Sequence, residues 1–307
     1  VYKRQEASGV TVLDKLTYAG NLENLASVAD DPRYQFVQGD ICEAQLLDSL
    51  LPGHDVVVNF AAETHVDRSI HGPQDFIVTN VVGAQTLFDA CLRHGVPRTV
   101  HIGTDEVYGS IDVGSWNEDE PLRPNSPYSA AKASAELLVR AYHVTYGLNI
   151  SSTRCSNNYG PYQFPEKVIP LFVTNLIDGE QVPLYGDGLN VRDWLHVDDH
   201  CRGIALVAQV GEAGESYNIG GGLELNNREL TERVLAAMDA DWSSVRPVED
   251  RKGHDRRYSV DDSRLRALGY QPQHSFDDGL AETVAWYRAN ESWWRPLKDR
   301  AVIAKTR

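Results

Sequence analysis

Tyr128 and Lys132 stand four residues apart in the stretch Tyr128-Ser129-Ala130-Ala131-Lys132, whose composition suits the start of a helix. On a helix that spacing puts both side chains on one face, where an ammonium beside a phenol can lower the phenol's pKa towards neutrality and make it a base. Such a pair suits oxidation of an alcohol by hydride transfer. A second group lies upstream, where Thr104-Asp105-Glu106 closes an apolar run and sets two carboxyl groups side by side. Alcohol oxidation alone has no use for an adjacent acid and base, whereas loss of water needs one group to give a proton and another to take one. The two clusters together predict a dehydration that borrows oxidation chemistry. Taken alone, a Tyr-x-x-x-Lys spacing is more often an ordinary amphipathic helix, so its surroundings carry the argument.

The elements that must hold these groups follow from the apolar pattern. Runs at 10–14, 34–39, 55–61 and 98–102 are apolar and β-rich, and amphipathic segments such as 81–93 separate them. This alternation predicts an α/β fold, a doubly wound parallel sheet with helices on both faces. The runs end in Asp14, Asp40, Ala61-Ala62-Glu63 and Gly103-Thr104-Asp105-Glu106, and ligands bind outside the carboxyl ends of such strands. Beyond residue 150, Asn157-Asn158-Tyr159-Gly160-Pro161 together with Pro165, Pro170 and Pro183 break the chain into short elements. A smaller mixed α/β substrate domain is expected there, with returns to the main sheet at about 198–219. The expected division is residues 1–155 with 194–222 for the first domain and 156–193 with 223–307 for the second.

Two local features need a decision. His196 and His200, four apart, could hold zinc on a helix, but Asp198 or Asp199 reads as the cap of a helix at 201–210, and no metal is expected. Residues 1–8 carry neither the strand pattern nor the Gly-x-x-Gly-x-x-Gly turn with which a dinucleotide-binding fold opens. The expectation is a fragment lacking that unit, or a phosphate site built differently.

Composition narrows the partners. With 307 residues, 42% of them hydrophobic, the chain can bury a large core. A formal charge of −15 argues against nucleic acid or an anionic membrane, since either would be repelled. An anionic small molecule would need a local basic pocket, and Arg251, Lys252, His254, Arg256 and Arg257 form such a cluster. No apolar run approaches the ~18 residues of a membrane span and no signal-peptide pattern opens the chain, so a cytoplasmic protein is expected. Cys42, Cys91, Cys155 and Cys201 have no C-x-x-C spacing and read as reduced packing residues.

Several motifs now combine: Asp14-Lys15-Leu16-Thr17-Tyr18-Ala19-Gly20-Asn21, Ala61-Ala62-Glu63-Thr64-His65-Val66-Asp67, Thr104-Asp105-Glu106-Val107-Tyr108-Gly109, Tyr128 with Lys132, residues 157–167, Arg192-Asp193-Trp194 and Asp250-Arg251-Lys252-Gly253-His254. Together they resemble the nucleotide-sugar dehydratases of the extended short-chain dehydrogenase/reductase family. The resemblance implies NAD as cofactor and a nucleotide sugar as substrate, dTDP-glucose ahead of a GDP-, CDP- or UDP-sugar. Asp14 would bind the adenosine ribose, repelling a 2′-phosphate, with Lys15, Leu16 and Thr17 continuing that wall. Asp40 and Ile41 would meet the adenine edge. Phe60, Ala61, Ala62, Glu63 and Thr64 would line the pyrophosphate and nicotinamide ribose, and Thr79, Asn158, Tyr128 and Lys132 would complete the cofactor site. Thr64, Thr104, Asn157, Lys167, Val168, Pro183, Leu184, Tyr185, Arg192, Asn227, Asp250, Arg251, Lys252, Gly253 and His254 would hold the substrate.

The same resemblance implies an order of events. Oxidation at carbon 4 makes the carbon 5 proton acidic; water then leaves across carbons 5 and 6, and the hydride returns to carbon 6. Tyr128 would take the 4-hydroxyl proton with Lys132 and Thr104 in support, Glu106 the carbon 5 proton, and Asp105 would protonate the leaving hydroxyl. A homodimer is expected through a helix at 80–94 and the helix beginning at Tyr128, with Val81, Leu87, Cys91, Leu137 and Tyr142 as its apolar stripe. A 4-epimerase shares the oxidation pair but not the need for Asp105-Glu106, and an inactive NAD-sensing regulator would be expected to lose Tyr128 or Lys132.

Overall fold

The structure, a computed structural model, describes residues 7–303; the opening stretch expected to lack a glycine turn lies mostly outside them. In chain order the first part contains β1 (Val10–Asp14), β2 (Tyr34–Gln38), α1 (Ala44–Leu50), β3 (Val56–Asn59), α2 (Val66–His71), α3 (Pro73–Ile77), α4 (Ala84–Arg93), β4 (Arg98–Thr104), α5 (Pro127–Tyr146) and β5 (Ile150–Cys155). There follow β6 (Asn157–Tyr159), α6 (Val168–Ile177), β7 (Val182–Tyr185), β8 (Val191–His196), α7 (Val197–Val210), β9 (Ser216–Ile219), β10 (Glu224–Asn226) and α8 (Asn227–Ala237). The last elements are β11 (Val245–Val248), α9 (Ser263–Ala267), α10 (Phe276–Ala289) and α11 (Glu291–Ile303).

The apolar runs become parallel strands. The main sheet has the order β3-β4-β5-β9, every pair parallel. All of β4 is buried, because helices cover both its faces, as a doubly wound sheet requires. On one side Leu47, Leu87, Phe88 and Val139 from α1, α4 and α5 pack together. On the other, Val100 and Ile102 meet Ile204 and Val207 of α7 and Leu265 of α9. β1 and β2 form a separate parallel pair, and the His54 ring before β3 meets Thr11 Oγ1 of β1 at 3.2 Å. The expected return to the sheet is β9. The later short elements form β10-β8-β6 and β11-β7 sheets around a core that includes Ile169, Phe172, Val234, Leu280 and Trp294.

Two expectations are corrected. The helix expected at 201–210 begins at Val197, and its cap is His196, whose ring accepts the Asp198 amide at 3.3 Å. Asp199 turns away and accepts the amides of Gln273 and His274 at 2.8 and 3.0 Å. In the stripe expected to face a partner, Leu87, Cys91 and Tyr142 are buried within the chain, and Leu137 alone of the five is strongly exposed. The helices α1, α4 and α5 pack on one another and absorb the rest. The apolar side chains these neighbouring segments do expose are Ile77, Val78, Val82, Leu137, Val144 and Tyr146. Among the described residues no helix is long and apolar enough to cross a membrane.

Candidate active site

Thr104 ends β4, and Asp105–Tyr108 follows as a single 3-10 turn capped by the Thr104 hydroxyl, which accepts the Glu106 amide at 3.3 Å. The same hydroxyl donates to Asp105 Oδ1 at 3.3 Å, while Asp105 Oδ2 is buried without a partner. Burial, the Glu106 carboxylate and then the Asp193 carboxylate push the Asp105 carboxyl well above its usual range. A shift in that direction favours the protonated carboxyl, the form a proton donor needs. Burial also raises Glu106, but Arg251, Arg192 and Lys167 oppose the rise. The two adjacent carboxyls thus differ in balance: carboxylates act on Asp105 more strongly than Arg192 does, whereas three cations act on Glu106 more strongly than Asp255 does.

Helix α5 delivers Tyr128 and Lys132. Pro127 occupies its first turn, Ser126 and Ser129 form a reciprocal capping box, and Gly147 closes the far end in the left-handed region at φ 72°. Tyr128 is the second residue of this fixed start, and both Tyr128 and Lys132 are buried. Lys132 Nζ donates to the Ile102 carbonyl of β4, and burial lowers its pKa to about 8, against the pull of Glu136. Tyr128 departs from expectation: burial and the Glu106 carboxylate push its phenol well above the ordinary value. Burial and a neighbouring carboxylate both favour the neutral phenol, so its phenolate needs added positive charge beside it.

The residues expected around a dinucleotide lie at the carboxyl ends of β1, β2 and β3. Asp14 Oδ1 accepts the Leu16 amide at 2.7 Å, and Leu16 adopts a left-handed φ of 54°. Lys15 pairs with Asp40 at 2.7 Å, Thr17 is exposed, and Ile41 is buried beside them. After β3, Phe60 is exposed, and Ala61 donates its amide to Asn59 at 3.2 Å. Ala62 is half-buried and Thr64 exposed. A π-helical segment, Val78–Gly83, interrupts the path from α3 to α4; π turns recur at functional sites. It carries Thr79 and the buried Asn80, whose amide group clasps the Glu63 backbone on both sides at 2.8 and 3.0 Å. Asn158 is held by the His200 ring at 2.9 Å and by the Ser156 carbonyl at 3.0 Å.

On the opposite side, Lys167 precedes α6 and reaches back to the Thr64 carbonyl at 3.1 Å, joining residues expected on cofactor and substrate. Val168 opens α6, and Pro183, Leu184 and Tyr185 lie in β7. Asn157 keeps a buried Oδ1 without a partner. Asn227 opens α8 and donates its amide to the Asn190 carbonyl at 3.0 Å. Arg192 is buried, stacked over Tyr258 at 4.1 Å and donating to the Asp255 carbonyl at 3.0 Å. In the loop after β11, Asp250 accepts the Arg251 amide at 2.8 Å and lies 2.6 Å from the His254 ring. Arg251 lies 3.7 Å from Asp67 with its Nε buried and free of hydrogen bonds. Lys252 is exposed, and Gly253 makes the turn at φ 62°.

The basic cluster read from sequence is smaller than expected. Arg256 pairs with Asp187 at 2.9 Å and Arg257 with Glu224 at 2.6 Å, so both charges are spent on surface carboxylates. Lys167, Arg192 and Arg251 are the cations acting on Glu106.

His196 and His200 have separate partners, but His196, His274 and Glu282 bring three potential ligand atoms within 4.8 Å. The two rings are stacked with centroids 4.0 Å apart. His196 Nδ1 accepts an amide hydrogen, so the neutral ring carries its own hydrogen on Nε2. The Arg202 guanidinium lies against His274 at 3.3 Å. Near-parallel rings, a protonated nitrogen and a fixed cation suit a divalent ion poorly.

Asp193, between Arg192 and Trp194, has a structural task of its own. It is buried, accepting the Ser156 hydroxyl at 2.6 Å and the Gly221 and Leu223 amides at 2.8 and 2.9 Å. It fixes the β8 end of the site and helps keep the Asp105 proton in place. Glu136, one turn beyond Lys132, forms a buried ion pair with Arg154 at 2.6 Å. The i, i+4 spacing from Lys132 could have signalled it; its Arg154 partner, on another strand, could not.

Known proteins resemble this chain in sequence and fold. The family model described as GDP-mannose 4,6 dehydratase matches residues 1–283. A dTDP-glucose 4,6-dehydratase of Streptomyces antibioticus is 61% identical over 298 residues, covering 97% of this chain and 88% of the relative. The solved structure of a dTDP-glucose 4,6-dehydratase, DesIV, from Streptomyces venezuelae, with NAD bound, is 64% identical with a TM-score of 0.94, covering 95% of this chain and 91% of that one. A UDP-glucose 4-epimerase of Thermotoga maritima is more distant, 30% identical with a TM-score of 0.86 and 92% of each chain covered. These matches and the paired carboxyls beside Tyr128 and Lys132 agree: the chain belongs to the GDP-mannose 4,6 dehydratase family of nucleotide-sugar dehydratases.

Proposed function

We propose that the chain is a hydro-lyase with bound NAD that converts dTDP-D-glucose to dTDP-4-keto-6-deoxy-D-glucose and water. The observation that carries this reading is the pair Asp105-Glu106, one carboxyl buried with its proton favoured and its neighbour set among three cations, beside Tyr128, Lys132 and Thr104. A 4-epimerase has no step that uses such a pair. The high identity to relatives named dTDP-glucose 4,6-dehydratase supports the nucleotide.

Asp14, exposed at the end of β1 on a turn that presents its carboxylate, fits a ribose diol, and the Asn80 clasp on Glu63 holds the backbone beside it. Bound NAD supplies a hydride acceptor at carbon 4, a donor at carbon 6, and a positive ring that favours the Tyr128 phenolate. Tyr128 takes the 4-hydroxyl proton, with Lys132 balancing the phenolate and Thr104 binding the 4-oxygen. Glu106 then removes the carbon 5 proton, made acidic by the adjacent ketone. Asp105 gives its proton to the departing 6-hydroxyl; as the hydride returns to carbon 6, Glu106 returns the proton it took to carbon 5, and no net redox change results. Lys167, Arg192 and Arg251 face the diphosphate, with Asn157, Val168, Pro183 to Tyr185, Asn227 and the 250–254 loop around the nucleoside.

The proposed division is residues 1–155 with 194–222 for NAD and 156–193 with 223–307 for the nucleotide sugar, with Leu265 and Tyr270 of the second packing against the main sheet. A cytoplasmic homodimer completes the reading; the exposed Ile77, Val78, Val82, Leu137 and Val144 on adjoining helices support the dimer. Incubation with dTDP-, UDP-, GDP- and CDP-glucose, followed by detection of the keto-sugar chromophore in alkali, tests the function. The chromophore is expected with dTDP-glucose; formation of a dTDP-galactose without it would establish the epimerase instead.

A further inference from the structure

Glu166 is 7% exposed, yet its carboxylate sits where three segments meet. Oε1 accepts the Tyr18 hydroxyl at 2.8 Å, and Oε2 accepts Arg68 Nη2 at 3.2 Å and lies 3.7 Å from His65 Nε2. The Arg68 guanidinium lies over the Tyr18 ring at 3.6 Å, and Phe164 meets the same ring edge-on at 5.6 Å. Tyr18 belongs to the turn that carries Asp14 to Thr17. Glu166 adjoins Lys167, whose ammonium holds the Thr64 carbonyl. A single buried carboxylate therefore joins the ribose-side turn, the start of α2 and the segment expected to meet the diphosphate.

Stability alone is a weak reason for such an arrangement, because taking a carboxylate and a guanidinium out of water costs about as much as their attraction returns. A register or coupling role is the better-attested use of a buried polar network. We propose that Glu166 is a positioning residue, the centre of a Tyr18–Glu166–Arg68 latch through which NAD and the nucleotide diphosphate strengthen each other's binding. The inference rests on the proposed function for the identity of the two ligands. NAD that orders the Asp14 to Thr17 turn sets the Tyr18 hydroxyl against Glu166. Glu166 then holds the turn before α6 with Lys167 poised for the diphosphate. By linkage the effect is reciprocal, and the diphosphate tightens NAD by the same factor.

The test uses the holoenzyme and the exchange of its bound NAD for labelled NAD, with and without saturating dTDP. In the unaltered protein dTDP is expected to slow exchange about tenfold, within the usual range of coupling between sites. In Tyr18→Phe and in Glu166→Gln the slowing should fall to about twofold or less, and KM for dTDP-glucose should rise about tenfold with kcat nearly unchanged. The double variant should be no worse than either single one, as expected of groups acting through one contact. Tyr18→Phe removes one oxygen and decides the matter should Glu166→Gln not fold. Slowing by dTDP that is undiminished in Tyr18→Phe, or absent from the unaltered protein, would overturn the latch. Absence of dTDP-glucose turnover in the unaltered protein would instead sink the functional reading.

Discussion

The pairing of Asp105 with Glu106 depends on unequal surroundings for two like side chains. Asp105 faces Glu106 and Asp193, whereas Glu106 faces Arg251, Arg192 and Lys167. Changing Glu106 to Gln should therefore leave oxidation intact, so NADH accumulates on the enzyme in a single turnover while product formation falls about 10²–10⁴-fold. Tyr128→Phe should show neither NADH nor product; NADH in Tyr128→Phe but not in Glu106→Gln would reverse the assigned roles. Asp105 also links the site to pH. Its folded-state pKa is raised, so its contribution to stability is complete below the unfolded value of about 4 and is lost as pH rises through the folded value. Asp105→Asn removes that loss. Its melting temperature should match the unaltered protein near pH 4 and exceed it by a growing margin towards pH 8, while elimination slows. A margin that shrinks with rising pH would show that Asp105 is ionised in the folded protein.

At the scale of elements, the site depends on helix ends and irregular turns. The Ser126 capping box sets the first turn of α5 two residues before Tyr128. Ser126→Ala should cost about 1 kcal/mol in denaturant unfolding, and it should lower kcat more than it raises KM, because Tyr128 rides on that turn. An equal loss in both would mean that the cap serves only stability. Asn80 performs the corresponding task for the cofactor side, clasping Glu63 from the π segment. Asn80→Ala leaves the Glu63 amide without its acceptor, at about 1–3 kcal/mol. The expected readout is less NAD retained per chain after gel filtration, with dTDP binding unchanged once NAD is added back to saturation. Retention equal to that of the unaltered protein would remove Asn80 from the cofactor site.

At the scale of the molecule, the helices beside the sheet leave apolar side chains in water. Leu137 and Val144 lie seven residues apart on α5, 61% and 66% exposed, and α5 packs against the segments that expose Ile77, Val78 and Val82. On a helix a seven-residue spacing returns to the same face, so this is a stripe rather than scattered exposure. Leu137→Arg should convert a dimer to a monomer in sedimentation at micromolar concentration, with little change in the monomer's thermal stability, since the residue touches little of its own core. A protein that sediments as a monomer before substitution would refute the dimer.

The amino-acid sequence by itself determined the alternation of strand and helix, the strand-end acids and the Tyr128–Lys132 and Asp105–Glu106 pairs. All of these are local: period, run length and spacing along one element report them directly. It also carried enough motifs to indicate the family. Tertiary structure alone decided which charges remain for a ligand, because Arg256 and Arg257 meet Asp187 and Glu224 from distant parts of the chain while Lys167, Arg192 and Arg251 act on Glu106. Likewise, burial and Glu106, brought from another element, raise the Tyr128 phenol, a direction that the four-residue spacing to Lys132 does not report. The outward stripe was misread for the same reason: helical spacing shows which residues share a face but not how many neighbours cover it, and α1, α4 and α5 together cover Leu87, Cys91 and Tyr142. Electrostatics and burial sum over everything within several ångströms, and those neighbours are assembled only when the chain folds.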